Sequence, residues 1–187
     1  MSRLRKMWWV LRALLLSPFF GRIGMPSYIG PATFLLGTRR MRIGRNVRIF
    51  PGLRAEAHGD GRLTIEDNVA IAQSVHITAM GDLRIGAGTA ITAFVMITDM
   101  DHGYSDVGTP VVEQPVEYRR TSIGRNCFIG QGARIQAGTT LGDGCVVGAN
   151  AVIRGDFPPS SVIVGVPGRI IRKYDPITHS WEKPGDE

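Results

Sequence analysis

From Ile43 to about Ile153 the hydrophobic positions of the chain keep a six-residue beat. Its clearest run, residues 123–158, reads IGRNCF, IGQGAR, IQAGTT, LGDGCV, VGANAV and IRGDFP. An aliphatic residue recurs at Ile123, Ile129, Ile135, Leu141, Val147 and Ile153, and glycine follows it at 124, 130, 142 and 148. A small residue, Cys or Thr stands four places after it, at Cys127, Ala133, Thr139, Cys145 and Ala151. Six fits neither the helical period of about 3.6 nor the plain alternation of a half-buried strand. The aliphatic position and the fourth one after it share a side only if the chain turns a corner between them. Short straight segments joined by turns, each burying its apolar side only against its neighbours, describe a solenoid. Three hexads close one triangular coil. Asn46, Asn68, Gly88, Asn126, Gly132, Gly138, Gly144 and Asn150 suit corners that require positive φ. A sandwich of short strands is the alternative, and six consecutive in-phase hexads weigh against it.

Upstream, the beat runs through IGRNVR and IFPGLR from Ile43, breaks over residues 55–64, and resumes with IEDNVA and IAQSVH from Ile65. A short insertion around MGDLR shifts the phase before IGAGTA and ITAFVM, which start at Ile85. The pattern therefore predicts an all-β chain, a parallel β-helix of roughly five triangular coils over residues 43–166. Residues 21–42, broken by Gly21, Gly24, Pro26, Gly30 and Pro31, read as a lead-in that caps the first coil. Residues 1–20, MSRLRKMWWVLRALLLSPFF, predict an amphipathic helix that Pro18 ends. Arg5 and Arg12 share one of its faces, and Trp8, Leu11 and Leu15 line another. The apolar run is too short to span a bilayer. It suits either a membrane surface, with basic groups at anionic headgroups, or packing on protein.

Two segments carry no hexads. Residues 99–122, DMDHGYSDVGTPVVEQPVEYRRTS, form one long protruding loop, and a loop of that length inside a compact repeat is usually functional. Residues 167–187 form a basic segment, with Arg169, Arg172 and Lys173 around Ile170 and Ile171, and a polar tail.

Composition narrows the function. The 187 residues are 43% hydrophobic, which excludes widespread disorder. The formal charge of +6 suits a phosphate-bearing ligand or anionic lipid. No nucleic-acid-binding motif accompanies it, so nucleic acid is not an expected partner. Cys127 and Cys145 fall at equivalent places in successive coils and read as core residues.

The IGxxxx hexads, the TDMDHGY loop and the closing DFPPSSVIVGVPGRIIRKY together resemble the hexapeptide-repeat acyltransferases, over about residues 43–174. The closing motif is most similar to sugar and polysaccharide O-acetyltransferases of the maltose, galactoside and capsule type. The resemblance implies a left-handed coil, acetyl-CoA as cosubstrate, and a homotrimer with active sites between subunits. It implies no metal. The alternative metal hydratase of similar fold needs three histidines, and His102 has no HxxxxH partner in its loop.

Transfer of an acetyl group from a thioester to a hydroxyl needs a base, an oxyanion donor and a channel for the pantetheine arm. His102 matches the family's catalytic histidine, and imidazole suits the role of base. Asp99 or Asp101 is the candidate to fix its tautomer. Gly130, Gly132, Ala133, Gly148 and Ala149 are candidate coenzyme contacts by close backbone approach, although coil geometry asks for small residues there too. Arg169, Arg172 and Lys173 are candidates for the coenzyme phosphates. His76, Tyr104, Tyr118 and Arg119 are candidate acceptor contacts. The family often has Trp where this chain has Phe128, which loses an indole N–H. The expected function is acetyl-CoA-dependent O-acetylation of a sugar in an exopolysaccharide, capsule or lipid-linked glycan. N-acetylation of an amino sugar, or a non-catalytic glycan-binding scaffold, is the alternative. The expected location is the cytoplasm, at the cytoplasmic face of the inner membrane if the first helix seeks lipid.

Overall fold

The computed structural model describes residues 3–183. Residues 1–2 of the expected helix and 184–187 of the expected tail lie outside the described residues. One helix, Arg3–Leu16 (α1), precedes a solenoid of short parallel strands.

The strands stack into three flat faces, and in each face the aliphatic residues of successive coils lie in register. On face A the inward ladder is Ile23, Ile43, Ile65, Ile85, Ile123, Leu141 and Phe157. On face B it is Ile29, Ile49, Ile71, Ile91, Ile129, Val147 and Ile163. On face C it is Leu35, Ala55, Ile77, Ile97, Ile135 and Ile153. Nearly all of these side chains are buried, and each full burial of an isoleucine stabilises by roughly 1.5–3 kcal/mol. The corner positions behave as their residue types suggest. Asn46, Asn68, Gly88, Asn126, Gly132, Gly138, Gly144 and Asn150 all have positive φ. Successive corner asparagines also bond to one another, as Asn46 does to Asn68 at 2.8 Å.

The solenoid has about seven turns rather than five. One extra turn lies at its start, and the other is an incomplete last turn carried by Phe157 and Ile163. Residues 21–42 are not a cap: Arg22–Ile23, Tyr28–Ile29 and Phe34–Leu36 pair in register with the next coil and form a turn of their own. Between faces C and A the early coils also carry extra residues, such as the one-turn helix Thr38–Arg40 and the turn around Gly59 and Asp60. Those residues break the six-residue phase without breaking the stack.

The far end is closed by an antiparallel meander. Ser161–Gly165 is the last rung of face B, Gly168–Asp175 pairs back on it, and Ser180–Glu182 pairs on that. The polar segment after Asp175 is therefore strand-paired through Glu182, with the Tyr174 and Trp181 rings 5.5 Å apart. Cys127 and Cys145 are buried free thiols on adjacent coils, and burial pushes the Cys127 thiol up to about 11.

Helix α1 docks through Trp9 and Ala13, which are 5% and 0% exposed. Trp9 packs on Tyr28 and Phe50, which project from the first two rungs of face B, with ring centroids 5.8 and 6.0 Å away. Its expected apolar face, Trp8, Leu11 and Leu15, points away from the protein.

Candidate active site

The long loop leaves the coil between faces C and A and is ordered by its own sequence. Met100–His102 pairs antiparallel with Val116–Tyr118. Its neck is tied by the Arg119 amide to the Asp99 carbonyl at 2.8 Å and by the Thr121 hydroxyl to the Thr98 carbonyl at 3.0 Å. Further out, the buried Gln114 side chain donates to the carbonyls of Asp106 and Thr109 and accepts from the Asp106 amide. A polar group buried this way must satisfy its hydrogen bonds, and Gln114 does so by fixing the loop's shape.

His102 ends the first loop strand, opposite Val116, and is exposed. Its imidazole makes no hydrogen bond to any described residue, so both ring nitrogens are open to a substrate. The two aspartates serve different ends. Asp101 pairs with Arg154 at 2.7 Å, and Arg154 also donates from Nε to the Ala137 carbonyl at 2.9 Å, so the pair ties the loop to face C. Asp99 is fully buried and accepts the backbone amides of Met80 at 2.6 Å and Gly81 at 3.0 Å. Burial raises its pKa, against the lowering effect of those amides. Neither carboxylate bonds the His102 ring in this chain. Asp99 anchors the loop's base through those two amides.

Of the expected acceptor contacts, Tyr118 lays its ring over Gly81, where an added Cβ would collide with it. Arg119 is exposed and pairs with Glu117 at 2.9 Å, which raises its pKa first through that hydrogen bond. Tyr104 is exposed near the loop's outer part. His76 lies apart from the loop, on face C. It bonds through Nε2 to Glu56 at 3.1 Å and to the Thr78 hydroxyl at 3.1 Å. Glu56 is buried, also pairs with Arg54 and His58, and is held below the usual carboxylate range, chiefly by its hydrogen bond from Arg54. Beside His76 runs a groove of about 250 Å³ lined by Ser74, His76, Phe94, Val95, Met96 and Arg134. Phe94 holds a φ of +62°, uncommon for a side chain of that bulk, and its carbonyl accepts from Arg134 at 2.6 Å. Sequence reasoning passed over Glu56, Phe94 and Arg154. The alternating Arg54, Glu56 and His58 was a legible sign of a polar outward row.

The expected coenzyme residues gather on the edge between faces B and C. A Cβ on Gly130 would lie 2.5 Å from the Ala149 nitrogen, and one on Gly148 would lie 2.8 Å from the Val164 side chain. Coil-to-coil packing alone therefore requires glycine at both. Gly132 takes a φ of +72°, Ala133 is buried and Ala149 is exposed. Arg169 sits opposite Val164, which packs on Gly148, so it lies at the end of the basic strand nearest this edge, whereas Arg172 is opposite Val162 and Lys173 is opposite Ser161 at the far end of the rung. His102 belongs to a different edge of the prism. Among the described residues no group of three or more His, Cys, Asp or Glu is placed to hold a metal ion.

Comparison with known proteins decides the family. A model described as bacterial transferase hexapeptide (six repeats) matches residues 120–155. WbbJ of Escherichia coli strain K12, named as a lipopolysaccharide biosynthesis O-acetyl transferase, is 37% identical over 150 residues, which is 76% of this chain and 76% of WbbJ. The chain belongs to the hexapeptide-repeat acyltransferases. Within this superfamily of left-handed β-helix enzymes it is also 28% identical to the galactoside O-acetyltransferase of the same organism, over 88% of this chain and 69% of that protein. The fold is shared with a solved point variant of AntD, an N-acyltransferase from Bacillus cereus, described in complex with dTDP-4-amino-4,6-dideoxyglucose and coenzyme A. That match has a TM-score of 0.75 at 20% identity and covers 89% of this chain and 91% of that one. The galactoside acetyltransferase structure with coenzyme A matches with a TM-score of 0.59 at 23% identity, covering 98% and 86%.

Proposed function

We propose that this acyltransferase moves an acyl group, acetyl in the simplest case, from coenzyme A to a sugar. The observation that carries the reading is the His102 loop. An exposed imidazole with both nitrogens free stands on a hairpin held rigid by Asp99, Gln114 and the Asp101–Arg154 pair. His102 acts as general base. It takes the proton of the acceptor while the acceptor atom bonds to the thioester carbonyl carbon, and as the C–S bond breaks the imidazolium returns that proton to the sulfur, releasing the coenzyme as thiol. Arg169, Arg172 and Lys173 meet its phosphates, and the small residues along Gly130 and Gly148 give its arm a smooth edge.

Two acceptor atoms are supported by different observations. The closer sequence likeness, to WbbJ, favours a hydroxyl of a surface polysaccharide or a lipid-linked precursor. The better structural superposition, on AntD, favours the amine of a nucleotide-linked amino sugar. The reading includes a homotrimer. His102 and the Gly148 edge lie on different edges of one prism, so a neighbouring copy supplies the missing half.

The test is release of coenzyme thiol from acetyl-CoA across a panel of sugars, with and without amino groups, followed by mass and base-lability analysis of the product. An alkali-labile acetyl supports the hydroxyl, and a stable amide supports the amine. No thiol release above background with any sugar, from protein that is trimeric and folded, overturns the reading.

A further inference from the structure

We propose that the N-terminal end of the prism is a docking surface for an anionic lipid bilayer. Helix α1 uses one face to seat on the solenoid and leaves a second apolar face with nothing on it. Trp9 and Ala13 point down, whereas Leu4, Met7, Trp8, Leu11 and Leu15 lie on the outward side, with Trp8 59% and Leu15 63% exposed. A contiguous stripe of that size at helical spacing marks an interaction surface. Among the described residues no helix is long and apolar enough to cross a membrane, so a lipid contact here is made in the plane of the interface.

Charge selects the occupant. No Asp or Glu precedes Glu56, whereas half of the chain's 22 Lys and Arg residues do. This end of the molecule is therefore cationic without compensation along its own sequence. The stacking of the coils concentrates it further. Arg22 and Arg42 are cross-strand neighbours on the first two rungs of face A, both exposed, and neither pairs with a carboxylate among the described residues. Like charges directly opposite each other on a sheet repel, and an external anion relieves the repulsion. An apolar stripe carrying Trp, on the cationic N-terminal part of the chain, is complementary to the headgroup boundary of a bilayer rich in anionic lipid. A second copy of the chain brings the same excess of positive charge and so fits less well.

The inference stands apart from the acyl-transfer reading, because binding is measured with no substrate present. The full chain is mixed with vesicles of phosphatidylcholine alone, or of phosphatidylcholine with a third phosphatidylglycerol, and sedimented. The proposal expects binding to the anionic vesicles, a blue shift of tryptophan emission, and a loss of about fivefold in affinity for each cation screened by salt. The double substitution Leu11→Glu with Leu15→Glu should cut binding by about tenfold or more, because both side chains are exposed in the free protein and their loss leaves its packing intact. An unchanged melting temperature and thiol-release rate for that variant confirm that only the surface was altered. Failure of the folded wild type to bind anionic vesicles overturns the proposal. So does a wild-type oligomer that the same variant dissociates, since the stripe is then an interface between copies.

Discussion

Replacing Asp99 separates two roles that its position next to the His102 loop invites. The carboxylate is fully buried and accepts two backbone amides, Met80 at 2.6 Å and Gly81 at 3.0 Å, which belong to the preceding coil. Asp99→Asn keeps the shape but turns an NH2 group toward one of those amides, which leaves a buried donor facing a donor. A hydrogen bond to a charged group contributes about 1.5–3 kcal/mol, and an orphaned buried donor costs about 1–3 kcal/mol. The carboxylate's own burial offsets part of this, so a loss of about 2–3 kcal/mol is expected for Asp99→Asn and more for Asp99→Ala. Urea unfolding gives the stability, and hydrogen exchange at Met80 and Gly81 gives the local effect. If Asp99 is an anchor, both amides lose protection, the loop opens, and turnover falls without any change in the pKa of the pH–rate profile. An Asp99→Asn protein of wild-type stability, with protected amides and a shifted profile, would refute this reasoning and restore Asp99 as the group that orients the imidazole.

Other consequences follow from the same structure. Glu56 has a pKa below its ordinary 4.5, so its ionised contacts contribute stability above that pH, and this is lost as pH falls through the depressed value. Glu56→Gln should flatten the acid limb of stability below pH 4.5, as read by melting temperature against pH; an unchanged limb would show that Glu56 does not govern it. Gly130→Ala places a Cβ 2.5 Å from the Ala149 nitrogen, and overpacking of this kind typically costs about 1–3 kcal/mol, measurable by urea unfolding. With a thiol at about 11 and full burial, Cys127 should resist an aromatic disulfide reagent at neutral pH until the chain is unfolded. Rapid modification of the native protein would mean that the coils open locally.

The parts of this structure that could be read from sequence were those fixed by neighbours in the chain. Ile123 to Ile153 announced the faces, and the asparagines and glycines announced the corners, because a side chain's inward or outward placement there repeats with the coil. The same beat was present earlier, at Ile23, Ile29 and Leu35, but the glycines and prolines between them looked like a break when they were corners. The identity of Asp99 as an anchor was hidden, since its partners Met80 and Gly81 come into reach only when two coils stack. Arg154 was hidden for the same reason, as its pairing with Asp101 spans the loop and the coils that follow it. His102 was visible because the beat stops there. The buried Glu56 and His58, in contrast, sit inside a phase break where the missing hydrophobic position masks the polar row, and the link from Glu56 to His76 forms only when the coils stack.

The most direct test of the central claim is the steady-state rate of acetyl transfer to an accepted sugar by His102→Gln beside the wild type. General-base catalysis typically contributes about 10²–10⁴-fold. The account predicts a fall of that size in kcat, with the oligomeric state and melting temperature unchanged, because the exposed imidazole supports no described contact. A variant that retains kcat within about threefold of wild type would contradict the assignment of His102 as the base.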